Sequence, residues 1–365
     1  MEIEITVEDI VRKLENLAAP SLAMEWDNVG LMLGQRDQKV KKALLCLDIS
    51  RSVVEKAIEM EIDLIISHHP LIFKPINKIT DPLFLKLVKS GISVYSAHTN
   101  LDVSPQGVNK ALAELFGLKN TSLLSNQSGN SLYQIAVYVP EEQREKVEKA
   151  VFSAGAGVVG NYRECLNSYP VTGQFKPVAG AKPYLGKQNK LEKVKEIKLE
   201  FLCDSIALKS VIKALLKAHP YETPVYGIYS QENRSLNFGL GLVGELENPI
   251  SLMDFSYQVK SKLHTPTVRL WQAHLDKSTH IQKVAVCGGS GRTLVKTAEQ
   301  KADVYVTGDL DYHTMIESKI PLIDAGHFYT EYPVLKILES VLSDTGIEII
   351  RLSINDHDIS SEIFL

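Results

Sequence analysis

The hydrophobic pattern of the chain has two rhythms. In residues 1–127, short apolar runs alternate with amphipathic stretches. "KKALLCLDIS" (41–50) reads as a buried strand, "RSVVEKAIEME" (51–61) as a helix and "IDLIISHHP" (62–70) as a second strand. "DPLFLKLVKSG" (81–91) is a helix, "ISVYSAH" (92–98) a third strand, and "SPQGVNKALAELFG" (104–117) a helix opened by Ser104 and Pro105. Ahead of them, Thr6 and Asp9 cap a first helix whose Ile10, Leu14 and Leu17 share one face before Pro20. Strands alternating with helices imply a parallel sheet covered on both faces.

The polar stretch "SNQSGNS" (125–131) ends that rhythm. A strand "YQIAVYVP" (133–140) and a helix "EEQREKVEKAVFSAG" (141–155) follow, then a strand or hairpin in "YRECLNSYPVTGQFKPV" (162–178). "KEIKLEFLC" (195–203) is a strand, "SIALKSVIKALLKAH" (205–219) a helix and "PVYGIYS" (224–230) a strand. The order β-α-β-β-α-β is the ferredoxin-like plan. After "QENRSLN" (231–237) the first rhythm returns, with strands in "IQKVAVCGGSG" (281–291), "DVYVTGDLD" (303–311) and "IPLIDAGH" (320–327) and helices in "RTLVKTAEQKA" (292–302) and "PVLKILESVLSD" (333–344). The expected architecture is α/β: residues 1–127 and 238–365 form one split domain of two related halves, and 128–237 is an inserted ferredoxin-like α+β domain.

The outer segments repeat each other. Residues 41–69 parallel 282–309, with Cys46 on Cys287, Asp63 near Asp303 and His69 on Asp309. "SVYSAHTNLD" (93–102) parallels "PLIDAGHFYTE" (321–331), so His98 and Asp102 match His327 and Glu331, each pair four residues apart. Pro105 and Pro333 follow the two carboxylates. In open α/β sheets, ligands bind at the carboxyl ends of the strands. Packing about a pseudo-two-fold brings His68, His69, His98 and Asp102 to face Asp309, His327 and Glu331. Imidazoles mixed with carboxylates suit Zn²⁺, Fe or Mn²⁺ better than Ca²⁺ or Mg²⁺. Pro70 favours extended backbone at His69, so the two adjacent imidazoles diverge and serve two ions better than one. A carboxylate such as Glu331 can bridge them. His219, His264, His274, His280 and His357 stand singly and read as ordinary surface or core residues.

Bulk properties exclude several classes. A chain of 365 residues is long for one core. Its 44% hydrophobic and 23% charged residues are ordinary for a globular protein. The net charge of −4 argues against a nucleic-acid partner held by a broad basic face. No apolar run approaches the ~18 residues of a membrane span, and "MEIEITVEDI" has no signal-peptide character, so the expected location is the cytoplasm. Cys46, Cys165, Cys203 and Cys287 form no CxxC pair and read as core residues of a reducing compartment. The zinc-deaminase, P-loop and serine-elbow motifs are absent. "GLGLVG" (239–244) satisfies GxGxxG, but the following "ELENPISL" opens no helix, so these glycines read as strand glycines. "CGGSGRT" (287–293) follows a strand and precedes a helix, which makes Gly288, Gly289, Ser290 and Gly291 a candidate anion seat; a tight turn is the competing reading.

At these residues the chain resembles the Ngg-one-interacting-factor-three-like family of dinuclear metal-centre proteins, whose bacterial members bear the label GTP cyclohydrolase 1 type 2 homolog. The matching stretches are "EWDNVGLMLG" (25–34), "ISHHPLIF" (66–73), "SAHTNLD" (96–102), "GLGLVGEL" (239–246), "CGGSG" (287–291), "TGDLDYH" (307–313) and "DAGHFYTE" (324–331). The middle segment, with "AHPYETPVYGIYS" (218–230), is similar to the PII- and CutA-like insert of the longer bacterial members. The resemblance implies that His69 and Asp102 hold one divalent ion, His68 and His327 the other, and Glu331 bridges both. It leaves His98 and Asp309 as outer or substrate-facing groups. It also implies a homohexamer. The expected cofactors are two divalent ions per chain, Zn²⁺ first, with Fe or Mn²⁺ as alternatives. The expected function is metal-dependent hydrolysis of a small anionic substrate, a nucleotide among the candidates. The alternative is a metal-binding regulator or scaffold whose insert senses a small molecule or gates the site.

Overall fold

The computed structural model describes residues 4–126, 131–160, 162–234 and 238–357. They form two compact units, 1–128 with 238–365, and 129–237. In the first segment, α1 (Val7–Leu17) begins at a reciprocal cap, with Thr6 N–H donating to Asp9 Oδ2 at 3.0 Å and Asp9 N–H to Thr6 Oγ1 at 3.4 Å. There follow β1 (Gly30–Leu33), β2 (Lys42–Cys46), α2 (Arg51–Glu59), β3 (Leu64–Ser67), α3 (Pro82–Ser90), β4 (Ser93–Ser96), α4 (Thr99–Val103), α5 (Val108–Phe116) and β5 (Lys119–Ser125). The inserted unit has β6 (Ser131–Pro140), α6 (Arg144–Ser153), β7 (Asn167–Phe175), β8 (Glu192–Asp204), α7 (Leu208–Ala218) and β9 (Tyr226–Arg234). The last segment runs β10 (Leu240–Ser251), α8 (Leu252–Leu263), β11 (Arg269–Trp271), β12 (His280–Ser290), α9 (Val295–Ala298), β13 (Val304–Gly308), α10 (Tyr312–Glu317), β14 (Leu322–Asp324), α11 (His327–Glu331), α12 (Val334–Leu342) and β15 (Glu348–Arg351).

The split unit contains two sheets, ordered β1-β4-β3-β2-β15 and β11-β14-β13-β12-β10-β5. Each has a parallel centre, β2-β3-β4 or β12-β13-β14, with a short antiparallel strand, β1 or β11, beside its third strand. The repeat reaches individual bonds. Asp63 Oδ2 accepts the N–H groups of Lys41 and Lys42 at 2.7 and 3.0 Å; Asp303 Oδ2 accepts those of Gln282 and Lys283 at 2.9 and 2.8 Å.

Alternation along each strand explains its unbroken apolar run. Leu45, Leu64, Ile66 and Tyr95 of the first sheet join Val284, Val286, Val304 and Ile323 of the second in one core with α1, α5, α8 and α12. The intervening Leu44, Cys46, Ile65 and Val94 pack on α2 and α3, and Ala285, Cys287 and Tyr305 on α9 and its flanking turn. Truncating a fully buried residue such as Leu64 to Ala would cost about 2–5 kcal/mol. This rigid frame fixes where the parallel strands end.

Some elements differ from expectation. Ser104 does not open α5: its hydroxyl donates to Leu17 O at 2.6 Å, the chain turns, and the helix starts at Val108 after Gly107. The helix expected over 292–302 shrinks to α9, because a 3-10 turn at Arg292–Leu294 precedes it and i→i+3 bonds from Gln300 and Lys301 close it. All of "GLGLVG" after Gly239 lies in β10, where a Cβ on Gly241 (φ +70°) would meet Leu124 at 2.9 Å, so the glycine permits β5 to pack there.

The inserted unit is an antiparallel sheet ordered β7-β8-β6-β9, the ferredoxin-like arrangement. Val147 and Val151 of α6 and Val211 and Leu215 of α7 cover one face, against Ile135, Val137, Leu199 and Phe201. Among the described residues, no helix is long and apolar enough to cross a membrane.

Candidate metal centre

The donors stand where the parallel strands stop. Cys46, Ser67 and Ser96 are in register across β2, β3 and β4, so the next residues of each strand reach one edge. His68 and His69 follow β3 directly, and their N–H groups donate to Cys46 O and Leu47 O at 3.2 and 2.8 Å. His98 precedes α4, which carries Asp102 one turn later. In the second half, Gly326 (φ +84°) turns the chain from β14 into α11, which begins at His327 and ends at Glu331. The four-residue spacing places both ends of each helical turn on one face.

His68, Glu331 and Asp102 form a buried floor, with side chains 0%, 4% and 17% exposed. His69 and His327 form the more open wall, at 24% and 38%. His68 Nε2 lies 3.6 Å from both Asp102 Oδ1 and Glu331 Oε1. His69 Nε2 lies 3.1 Å from Glu331 Oε2, and His327 Nε2 3.1 Å from Glu331 Oε1. One donor atom from each of His68, His69 and Glu331 can be chosen so that all lie within 4.8 Å of one another.

Each imidazole is held by its other nitrogen. His68 Nδ1 donates to Ala97 O at 2.8 Å, His69 Nδ1 to Asp48 Oδ1 at 2.7 Å and His327 Nδ1 to Asp309 Oδ2 at 2.7 Å. These acceptors fix the tautomer: in the neutral rings, all three Nε2 lone pairs point at carboxylate oxygens. Lone pair against anion is repulsive, so something positive must stand between them. His68 Nε2, Asp102 Oδ1 and Glu331 Oε2 are buried without any aligned hydrogen-bond partner, although buried polar atoms are normally paired. The donor set therefore fits divalent ions, with a carbonyl and two carboxylates orienting the ligands from behind.

Protons are the other positive charge available. Burial opposes a charged His69, yet Asp48 and Glu331 outweigh it and push the imidazole up to about 10. Burial likewise opposes a charged His327, but Glu331 and then Asp309 raise it to about 9. His68 is raised against burial by the charges of Glu331 and Asp102. Burial favours a protonated Glu331, but the three imidazoles hold its carboxyl well below the usual range. Burial and the neighbouring Glu331 charge push Asp102 up.

The five expected residues come together around Glu331: His68 and His327 face its Oε1, and His69 faces its Oε2. His68 Nε2 is as close to Asp102 as to Glu331, and the His69 and His327 ring centroids are 5.5 Å apart. Strand alternation turns the two adjacent rings to opposite neighbours: β3 lies between β4 and β2, so His68 leans to Ala97 after β4 and His69 to Asp48 after β2. Their tips still meet at Glu331. His98 stands 5.4 Å from the His68 ring and 5.5 Å from the His69 ring, and its Nδ1 donates to Asp27 Oδ1 at 2.9 Å. Asp309 serves His327 and does not face the floor.

The anion seat expected at Gly288, Gly289, Ser290 and Gly291 is corrected. The Gly288, Gly289 and Gly291 N–H groups donate to Asn109 Oδ1, Thr330 Oγ1 and Thr307 Oγ1 at 3.1, 3.0 and 3.0 Å, which leaves no cradle of N–H groups for an anion. Ser290 is the last residue of β12, paired with Gly308. The glycines instead make room for the carboxylate: a Cβ on Gly289 (φ +63°) would meet Glu331 Oε1 at 2.2 Å, and one on Gly288 would meet Val108 Cγ1 at 2.2 Å. Sequence reasoning missed Asp48, Asp27 and Asn109. Asp48 had a legible signal, because it follows β2 at the same sheet edge. Asn109 links the halves by donating to Asp102 O at 2.8 Å and accepting from Gly288. Of the single histidines, buried His357 accepts the Leu47 N–H at 3.2 Å, and buried His219 contacts Tyr138 O at 2.9 Å in the inserted unit.

Known proteins share this fold. A model of the family described as Duf34/NIF3 (NGG1p interacting factor 3) matches residues 5–358. The chain is 40% identical over 337 residues to the GTP cyclohydrolase 1 type 2 homolog of Bacillus subtilis, covering 90% of each chain. It is 36% identical over 367 residues to the protein of that name from Staphylococcus aureus, covering 98% of this chain and 99% of the other. A solved structure of a Bacillus cereus protein related to NIF3 superposes with a TM-score of 0.82 at 33% identity, over 99% of both chains.

Proposed function

The chain belongs to the Duf34/NIF3 family, and from that premise and the donor cluster we propose that it is a dinuclear metal-dependent hydrolase acting on a small anionic substrate. The observation that carries the proposal is the trio of buried, unpartnered atoms His68 Nε2, Asp102 Oδ1 and Glu331 Oε2. In this reading His69 and Asp102 would hold one ion, His68 and His327 the other, and Glu331 would serve both; His68 and His327 already face the same Glu331 oxygen. Zn²⁺ suits the donors best, with Fe and Mn²⁺ next. When bound, such a pair supplies Lewis acidity and makes water a nucleophile at neutral pH.

The chain's own residues do the rest. Asp48, Asp309 and Ala97 O fix the imidazoles in the ligating tautomer. Asp27 holds His98 through Nδ1, so its Nε2 is the position that can take or give a proton. Trp26, 60% exposed, packs against Phe73 with centroids 5.7 Å apart and against His98 at 6.1 Å, and offers a stacking surface for a planar ring. That surface, together with the name of the relatives, favours a nucleotide such as GTP. A homohexamer in the cytoplasm completes the proposal, with sedimentation velocity as its check.

Elemental analysis of purified protein tests the reading. About two ions per chain are expected, with near zero in Glu331→Gln, and hydrolysis from a panel including GTP that follows metal content. A parent chain that takes up no Zn²⁺, Mn²⁺ or Fe²⁺ would overturn it. Metal without hydrolysis of any panel member would favour the second reading, a metal-stabilised regulator. A cavity in the inserted unit speaks for that role.

A further inference from the structure

The inserted unit buries a carboxylate that its fold does not require. Glu196 lies on β8, opposite in register to Val171 of β7 and Pro140 of β6. Its neighbours Ile197 and Leu199 alternate with it, and Leu199 packs beneath α6 and α7, so Glu196 belongs to the sheet face those helices leave uncovered. Yet Glu196 is only 6% exposed. Residues of the 176–185 segment and the turn after α7 come over it and border a half-open cavity of about 500 Å³. That size suits a small-molecule ligand.

The walls of the cavity are aromatic and aliphatic. Tyr221 is at the centre, with ring centroids 6.1 Å from Phe175 and 6.3 Å from Tyr184, and Tyr138 lies on the same lining. The Tyr221 hydroxyl donates to Glu196 Oε1 at 2.6 Å. Behind the ring, Tyr221 N–H donates to His219 Nδ1 at 3.1 Å and buried His219 contacts Tyr138 O, so the "AHPYETP" stretch fixes the aromatic wall rather than only ending a helix. The other oxygen, Oε2, lies 2.1 Å from where a Cβ on Gly173 would stand, so the absence of a side chain there keeps the space beside it open. Lys176 lines the cavity, but among the described residues no cation forms an ion pair with Glu196. A second carboxylate, Glu222, stands on the lining and accepts the Lys182 N–H at 3.1 Å.

A buried carboxylate without a counter-charge, ringed by π faces, is complementary to a cation that carries apolar surface. We propose that the inserted unit binds a small organic cation, an amine or guanidine with an apolar body, its charged head on Glu196 and its body against Tyr138, Phe175, Tyr184 and Tyr221. The site is separate from the metal centre and needs no metal.

Calorimetric titration of the full chain with phenethylammonium, agmatine and choline tests this, with 2-phenylethanol as the neutral counterpart of the first. At least one cation should saturate at one per chain, and the alcohol should bind at least about tenfold more weakly than phenethylammonium. Glu196→Gln keeps an acceptor for Tyr221 and should weaken the cation about tenfold or more, leaving thermal unfolding unchanged. If that variant does not fold, Tyr184→Leu on the half-exposed wall replaces it, with the same direction expected. Three results would each overturn the proposal: no saturable binding of any cation up to about 10 mM, an alcohol that binds as tightly as the amine, or a folded Glu196→Gln or Tyr184→Leu that binds the cation like the parent.

Discussion

Gly289→Ala is the sharpest probe of the candidate metal centre, because it replaces none of the donor residues. The added Cβ would stand 2.2 Å from Glu331 Oε1 and 3.3 Å from His327 Nε2. Ordinary carbon–oxygen contact needs roughly 3.3 Å, so the carboxylate oxygen must retreat by about 1 Å. Metal–ligand distances tolerate only about 0.2 Å, so the bridge and His327 can no longer serve one ion together. The left-handed backbone at Gly289 adds about 1–2 kcal/mol for any L side chain. The variant should therefore fold with a modestly lower melting temperature and lose at least one of two ions per chain. Elemental analysis beside thermal unfolding reads both quantities. A folded Gly289→Ala with undiminished metal would refute the placement of β12 against Glu331 as the reason for this glycine.

Further outcomes follow from the residues behind the ligands. Asp48→Asn and Asp309→Asn should each lower metal affinity about 10–100-fold in competition with a chelator while the ligands stay in place. Imidazoles raised in the metal-free protein stabilise it below their unfolded value of 6.5, and that contribution is lost as pH climbs through about 9 to 10. Metal-free protein should thus lose stability from about pH 7 to about pH 10, and the rise in melting temperature on adding Zn²⁺ should grow over the same window, with protons released on binding. Equal metal shifts at both ends of the window would contradict this. Asp27 runs the other way: burial works against its charge, but hydrogen bonds from His98 and Thr99 hold it at about 2. Its contribution of about 2 kcal/mol is present above pH 3.8 and lost as pH falls through about 2, so the gap in stability between the parent and Asp27→Asn should close in acid.

The periodic elements were legible because the central parallel strands, such as β2, β3 and β13, are buried on both faces and read as unbroken apolar runs. The donor cluster was legible because four-residue spacing on two matched elements has few structural explanations. The antiparallel strands β1 and β11 are only four and three residues long, too short to carry a period. At "CGGSG", a pattern associated with anions turned out to be a clearance for a carboxylate, and only the position of Glu331 separates the two readings. Asn109 escaped notice because a single amide residue carries no pattern, whereas Asp48, just past β2 at the same sheet edge, was readable from its position.

The placement of β15 sets an order in time. This strand, from the far end of the chain, pairs in parallel with β2 and completes the edge of the first sheet. His327 and Glu331 likewise emerge from the ribosome long after His68, His69 and Asp102. A nascent chain that has produced the first half and the insert holds neither a finished sheet nor a bridging carboxylate. The donor set is therefore assembled only after the second half has been made, and until β15 is in place the β2 edge of the first sheet stays open to pairing with another strand.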